Sequence, residues 1–600
     1  MTPLDDCRSG SCFLSSARHA GLRQCWLMEK RWRVAESCPP EFVQTIGQPI
    51  VAQLLWNRGI RERAEADAFL SPSWEGNIHD ALQFRQMEAA VVRSFDALEK
   101  GERITVHGDY DADGVTGSTL LITVLNDLAK KMGSKAPIDY YIPHRDKEGY
   151  GLRKETVPIL KERGTSLIVT VDCGIACVEE IALAKNEGID TIVVDHHNFG
   201  ETVPDGHLIH PGLPEETYPF KHLAAVGVAY KFASALLSRA RERGLDYPEG
   251  WEKWLLDLVA IATVTDMVPL VGENRVLETF GLTVLNKTRR PGLLALFEMA
   301  GVEPGSITSE TIGFGIGPRI NAAGRMDHAS VALRLLLSES MDEARLIARE
   351  LEDLNKARQD AMKKMMVEAE KIVGDDVKDN VIVVWKENWS PALVGLVAGR
   401  FMEKFSRPVV AVGKHGDHWI GSGRSISTYN ITEAVKASGE GILTRSGGHV
   451  QACGFALTDG DQLSVFSDRL KEHARSISAE ELTPLLSIDV EMTLAAVAMD
   501  VAEAVLRLEP YGMGNALPIF LSKRCKILSS DTMGSTGNHL RMQLADGSGR
   551  AVKAVGFKMG SRILEALMGK EIDIVYHLSI NEWNGRRTAE CRLIDFRASA

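Results

Sequence analysis

The chain has 600 residues, of which 44% are hydrophobic and 25% charged, with a formal net charge of −12 and nine cysteines. That composition excludes a disordered chain and a disulfide-stapled scaffold. No apolar run approaches the roughly 20 residues of a membrane span, and the length calls for three or four domains. The acidic total argues against a surface coated for non-specific nucleic-acid binding, but it leaves room for a local basic groove and for carboxylates that hold cations.

Residues 1–27 have weak periodicity, carry Cys7, Cys12 and Cys25, and are too polar at 11–20 for a signal peptide. They read as an upstream extension, non-native or unstructured, with Met28 the more natural start. Short helical patterns at 50–56 and 87–98 make 28–100 a helical lead-in. From 104 to 266 strand and helix alternate: strands at 104–106, 167–171 and 191–194, helices at 117–131 and 178–186. This predicts a parallel sheet with crossover helices, an α/β catalytic domain over 101–330. Residues 251–265 read as a helix that delivers Asp266 at its end. After a Gly-rich stretch at 313–324, Ser340-Met-Asp-Glu343 has capping-box spacing and opens a long charged helix, a connector over 331–375. Val381-Ile-Val-Val384 starts a second α/β unit, 376–475. Short strand-like runs at 487–494, 519–527, 539–544, 551–557, 572–580 and 588–596, separated by turns such as Asp546-Gly547 and Asn584-Gly585, predict an OB-type β-barrel over 480–600.

Two stretches carry most of the chemistry: His107-Gly-Asp109-Tyr-Asp111-Ala-Asp113-Gly114 and Asp195-His196-His197, each directly after a β-branched run. Asp172, followed by Cys173 and Gly174, ends a third such run. Open α/β sheets bind ligands outside the carboxyl ends of their strands, and carboxylates with imidazoles suit Mn²⁺ or Mg²⁺. Taken singly each motif has a plainer reading: an Asx turn capping a helix at Asp111, an N-cap at Asp172, a structural histidine, a turn at Asp266. Taken together they predict a two-metal phosphoester hydrolase, with Asp111 sharing an ion with His107 and Asp172 able to bridge two ions. No Walker A sequence, GxSxG elbow or HExxH is present.

Those motifs, with Gly317-Pro-Arg-Ile-Asn-Ala-Ala-Gly-Arg325, Gly423-Arg-Ser425 and Gly447-Gly-His449, resemble the DHH phosphoesterases, and among them the bacterial exonucleases specific for single strands. The resemblance implies two Mn²⁺ or Mg²⁺ ions, one on His107 and Asp111, the other on Asp113, His196 and Asp266, with Asp172 bridging. It implies His197 facing the scissile phosphate and Asp109 and Asp195 as supporting carboxylates. Arg145, Arg319, Asn321, Arg325, Arg424, Ser425 and His449 are the implied substrate contacts. The implied activity is 5′→3′ hydrolysis of single-stranded DNA to 5′-mononucleotides, in recombination and repair in the cytoplasm. The implied partners are single-strand-binding protein and a RecQ-type helicase, with no membrane. A phosphodiesterase for nano-oligonucleotides or cyclic dinucleotides is the alternative, and the C-terminal barrel weighs against it. On that barrel Lys553, Lys558, Trp583, Arg586 and Arg587 are candidate strand contacts. One departure from the relatives is Ser390 after Trp389, where many have His.

Overall fold

The computed structural model describes residues 30–599 except 375, 376, 548, 569 and 570, so the extension expected at 1–27 lies outside the described residues. The catalytic sheet has five parallel strands: Arg103–Gly108, Ile138–Tyr141, Thr165–Val171, Asp190–Val194 and His207–Ile209. In space the second strand comes first, followed by the first, third, fourth and fifth. Side chains alternate between faces. Leu167, Val169, Ile192 and Val194 join one core with the helices Ala112–Met132 and Ala225–Glu242. Ile168 and Val193 join another with the helices Thr156–Glu162 and Val178–Asn186. Burial on both faces is why these strands read as unbroken apolar runs. The strand order reverses between the first and third strands, and in such sheets ligands bind at that switch point.

The stretch at 313–324 is helical: a π turn, Ile312–Ile316, runs into the helix Gly317–Met326. Two of its glycines, Gly317 and Gly324, serve close packing. A Cβ on Gly317 would lie 2.2 Å from Thr265 Cγ2, and one on Gly324 would lie 2.3 Å from the Tyr110 carbonyl oxygen. The connector is the 33-residue helix Met341–Val373, with the Ser340 hydroxyl accepting from the Glu343 N–H at 3.3 Å. Beyond it lies a mixed five-stranded sheet in the spatial order Arg445–His449, Ala452–Leu457, His418–Arg424, Val409–His415, Ile382–Trp385. Pro391 occupies the first turn of the helix Pro391–Phe405, where its missing N–H costs nothing.

The C-terminal unit is a closed five-stranded barrel. Phe520–Met533 pairs with His539–Ala545 on one side and with Glu571–Trp583 on the other. Ala551–Gly556 lies parallel to Arg586–Ala598, and the short helix Ile563–Met568 precedes the fourth barrel strand, which is the OB arrangement. The run at 487–494 divides: Leu485–Ile488 pairs with Arg31–Val34, while Val490–Glu491 adds to the barrel's edge in parallel with Phe520–Leu521. The first helices also belong with the barrel, since Phe42, Val51, Leu54, Leu55 and Phe69 share a core with Phe520, Met542 and Tyr576.

Barrel and catalytic domain are joined by Arg275. Its buried guanidinium donates to the carbonyls of Phe69, Leu508 and Glu509 at 2.8, 3.0 and 2.7 Å. The Leu270 N–H donates to Met513 O at 2.8 Å. Between the two units runs a cleft of about 1490 Å³, bordered by Thr265, Met267, Phe314, Asn321 and Arg325 on the catalytic side and by Phe557 and Arg592 on the barrel. All six described cysteines are free. No helix among the described residues is long and apolar enough to cross a membrane.

Candidate metal centre

Each ligand motif leaves the end of a strand or helix, and the fold gathers them at the switch point. Asp111 is the N-cap of the helix Ala112–Met132, its Oδ1 accepting from the N–H groups of Asp113 (3.0 Å) and Gly114 (3.3 Å). The helix therefore starts five residues before the expected 117. The capping and metal readings of Asp111 are compatible, because the cap uses one oxygen. Asp113 is aimed by another helix: its Oδ2 and Oδ1 accept from Ala225 N and Val226 N, each at 2.8 Å. These open the helix Ala225–Glu242, whose N-terminus favours a carboxylate. Asp172 has φ of 63°, a left-handed conformation rare outside glycine, with its N–H donating to Val194 O at 3.0 Å. Such backbone strain clusters where a side chain must be aimed. Asp266 caps the helix Leu256–Thr265, and Met267 after it has φ of 59°.

Three sets of ligand atoms lie within 4.8 Å of one another: Asp113, His196 and Asp266; Asp109, Asp111 and Asp172; Asp172, His196 and His197. His196 Nε2 is 3.4 Å from Asp172 Oδ1, 3.5 Å from Asp266 Oδ2 and 3.8 Å from Asp113 Oδ2. The second ion's expected set is thus assembled, and Asp172 belongs to two groups. Asp109, expected as a supporting carboxylate, stands among the ligand atoms. His107 is outside these groups; its ring stacks on Tyr141 and its Nδ1 lies 3.6 Å from Cys173 Sγ.

The donor set fits divalent cations. The buried atoms His107 Nε2, Asp109 Oδ1, Asp172 Oδ1 and His196 Nε2 have no hydrogen-bond partner, a costly state for polar atoms unless something else satisfies them. Burial first, then neighbouring carboxylates, push Asp113 up to about 7 and Asp266 up to about 9, and hold Asp109 and Asp172 well above the ordinary range. Five carboxylates packed this closely call for positive charge. Burial holds the His107 imidazole down to about 4, and burial with the neighbouring His197 charge holds His196 down to about 4, so both are neutral as ligands must be.

His197 goes the other way. Burial opposes its charge, but the hydrogen bond and charge of Asp195 prevail and push it up to about 9. Asp195 is a clamp. Its Oδ1 accepts from His197 Nδ1 (2.9 Å), His196 N (2.7 Å) and His197 N (3.1 Å), and its Oδ2 accepts from Ile175 N (3.0 Å). Burial would raise this carboxyl; His197 and the N–H donors bring it down to about 2. Tyr150, which no sequence signal singled out, donates its hydroxyl to Asp172 O at 2.9 Å and lies 3.1 Å from His197 Nδ1.

Of the expected substrate contacts, Asn321 and Arg325 line the cleft. Arg145 stacks on Tyr110 and donates to Gly324 O at 2.9 Å. Asn321 accepts from Ala112 N at 2.8 Å and so fixes the turn that carries Asp111. Arg319 is paired with Glu352 at 2.7 Å. Arg325 donates to Ala392 O at 2.8 Å across the domain junction. Arg424 sits with Ser422, its Nη1 donating to the hydroxyl at 2.8 Å. Ser425 is buried and donates to Tyr429 O at 2.7 Å within its own loop, while His449 ends a wholly exposed edge strand. Arg358, also absent from the sequence reading, has a buried Nε without a partner and lines the cleft beside Arg325. On the barrel Lys553 is paired with Glu590, Arg587 with Glu503, and Trp583 is exposed.

Three family models match in order: the DHH family, N-terminal domain, over 103–263; the DHHA1 domain over 378–476; and the RecJ OB domain over 488–595. The Bacillus subtilis single-stranded-DNA-specific exonuclease RecJ is 37% identical, covering 92% of this chain and 68% of its own. The Escherichia coli protein of the same name is 33% identical over 90% of this chain and 94% of its own. The crystal structure of Thermus thermophilus RecJ with Mn²⁺ covers 95% of this chain and 80% of its own, with a TM-score of 0.79 and 31% identity. The Mg²⁺ complex of that protein gives a TM-score of 0.74 at 29% identity. With its catalytic, DHHA1 and OB units in the order of these relatives and matched over nine-tenths of its length, the chain belongs to the RecJ family of single-stranded-DNA-specific exonucleases.

Proposed function

We propose that the chain hydrolyses single-stranded DNA from the 5′ end, releasing 5′-mononucleotides, with two Mn²⁺ or Mg²⁺ ions as cofactor. The observation that supports this best is the meeting of five carboxylates with His196 and His197 at the switch point, beside a cleft whose far wall is an OB barrel. Two divalent cations bound there supply the activated water and the charge stabilisation that an in-line displacement at phosphorus needs.

Asp113, His196 and Asp266 would hold one ion and Asp111 and His107 the other, with Asp109 beside them and Asp172 grouped with Asp109 and Asp111 on one side and with His196 on the other. The two adjacent histidines divide the work because their surroundings push them to opposite charge states. Neutral His196 offers Nε2 as a ligand. Cationic His197, tied through Nδ1 to Asp195, keeps Nε2 for a non-bridging oxygen of the scissile phosphate. Asp195 therefore positions, and Asn321 does the same for the Asp111 turn. Arg145, Arg319, Arg325 and Arg424, with Ser425 and His449, accompany the strand's phosphates. In this reading 101–330 supplies the centre, 331–375 connects, 376–475 adds phosphate contacts and 480–600 grips the strand, behind the lead-in at 28–100. Kinship supports a cytoplasmic role in recombination and repair beside single-strand-binding protein and a RecQ-type helicase.

The test is hydrolysis with Mn²⁺ of one oligonucleotide offered single-stranded, as a blunt duplex, and as a dinucleotide. Degradation confined to the single strand is expected. Rapid turnover of the dinucleotide with the long strand intact would move the chain to the small-substrate phosphodiesterases.

A further inference from the structure

The turn Asp195-His196-His197 carries two imidazoles that must point in fixed directions, and packing does not fix the second. The His197 side chain is 41% exposed, so its orientation comes from hydrogen bonds. The N–H groups of His196 and His197 both donate to Asp195 Oδ1, inside the turn itself. Toward the neighbouring strand His207–Ile209, the bond from Asp195 N to Ile209 O is long at 3.3 Å. His210, the residue directly after that strand, supplies a shorter tie. It is 2% exposed, and its Nε2 lies 2.8 Å from His197 O, while its Nδ1 accepts from Gly212 N at 3.0 Å. The Gly212 bond decides the tautomer: with Nδ1 an acceptor, the proton of the neutral ring is on Nε2 and is donated to His197 O. Burial lowers the His210 imidazole below its ordinary value, which keeps the ring neutral. The ring is also wedged in place. A Cβ on Gly212 would lie 3.1 Å from His210 Cε1, and the Phe199 ring meets it edge-on at 5.5 Å. Both nitrogens of this buried histidine are thus used, one of them on the backbone of the residue that faces the scissile phosphate.

We propose that His210 is a positioning residue for the cleavage step. It anchors the His197 main chain to the edge of the catalytic sheet, so that the ring meets Asp195 through Nδ1 and presents Nε2 to the phosphate. This deepens the function proposed above and rests on it. If the His197 carbonyl were released, its ring would swing while Asp195 still held the His196 N–H. The loss should therefore fall on the chemical step rather than on metal binding, and a misplacement of about 1 Å can cost on the order of 10²-fold.

Two substitutions separate the two bonds of His210. A glutamine amide nitrogen stands as many bonds from Cα as Nε2 does, so His210→Gln keeps the donor for His197 O. An asparagine oxygen stands as many bonds from Cα as Nδ1 does, so His210→Asn keeps only the acceptor for the Gly212 N–H. The test uses the full chain with Mn²⁺ and measures kcat and KM on a labelled single strand, beside Mn²⁺ binding by calorimetry and thermal melting. His210→Asn is expected to lower kcat roughly 10- to 10²-fold, with KM and Mn²⁺ affinity within about two-fold of wild type. His210→Gln should stay within a few-fold of wild type in kcat. Equal losses in the two variants, or a larger loss in His210→Gln, would overturn the positioning role while the exonuclease reading stands. Unfolding of both variants at the assay temperature would assign His210 to stability and overturn it as well. Failure of wild type to degrade the single strand would overturn the exonuclease reading, and the inference with it.

Discussion

Replacing Asp195 by asparagine separates orientation from metal binding. Asp195 belongs to none of the three ligand groups, yet it accepts four hydrogen bonds, three of them from His196 and His197, and is fully buried. The substitution removes the charge that keeps His197 up at about 9. It also sets an amide N–H₂ against either the His197 Nδ1–H or the Ile175 N–H. With that charge gone, burial is opposed only by the weaker pull of Asp266 and Asp113, and His197 falls toward its ordinary value of about 6.5. At pH 7.5 the cationic fraction then drops from nearly all to about one in ten, a ten-fold loss of the competent form. Loss of an oriented donor to the phosphate adds about 10²-fold, so kcat should fall roughly 10²- to 10³-fold. The assay is kcat on a labelled single strand with saturating Mn²⁺ between pH 5.5 and 9, beside Mn²⁺ binding by calorimetry. The variant should regain part of its deficit below pH 6.5 and bind Mn²⁺ nearly as wild type does. A wild-type kcat with an unshifted pH profile would refute the clamp.

Asp172→Ala should abolish hydrolysis, by more than about 10³-fold, while strand binding measured by anisotropy stays within a few-fold; retained turnover would remove Asp172 from the bridging position. Metal-free protein should lose stability as pH rises. Asp113 and Asp266 keep protons in the folded state up to about 7 and about 9 that the unfolded chain releases near 3.8, so each ionisation forced between those values costs about 1.4 kcal/mol per pH unit. Mn²⁺ should flatten that slope, and equal slopes with and without Mn²⁺ in thermal melts would contradict it. Arg275→Met should expose the 508–513 junction to proteolysis and weaken Mn²⁺ binding through the Asp266–Leu270 loop, because five backbone carbonyls lose the guanidinium and only those of Leu508 and Pro510 keep a donor in Asn515; unchanged proteolysis would mean the barrel docks without it. Phe557→Ala should raise KM several-fold on strands long enough to reach the barrel and leave short ones alone, and an equal effect on both would place Phe557 outside the strand's path.

The three central strands of the catalytic sheet were legible because both faces are buried, so Val169, Ile192 and their neighbours form continuous apolar runs. The edge strands Ile138–Tyr141 and His207–Ile209 were not: each is short and partly polar, and neighbouring strands define them more than their own sequence does. The ligand motifs stood out by position after strands, but spacing alone cannot say which of Asp109, Asp111 and Asp113 faces the ions. That depends on the helix cap at Asp111 and on Ala225 and Val226, 112 and 113 residues from Asp113. The helical course of 313–324 was hidden because glycine disfavours helix locally, whereas here it permits contact with Thr265 and Tyr110. The packing of the helices at 40–70 on the barrel is a contact across more than 400 residues, which periodicity cannot report. For the same reason a truncation at 480 would bare the apolar face of those helices, and the barrel is better probed by substitution.

Hydrolysis from the 5′ end is read from a time course with Mn²⁺ on one single-stranded DNA labelled at the 5′ end or at the 3′ end. The 5′ label should be released at once as mononucleotide while the 3′-labelled strand shortens one nucleotide at a time. Early release of the 3′ label, or internal fragments that retain the 5′ label, would contradict it.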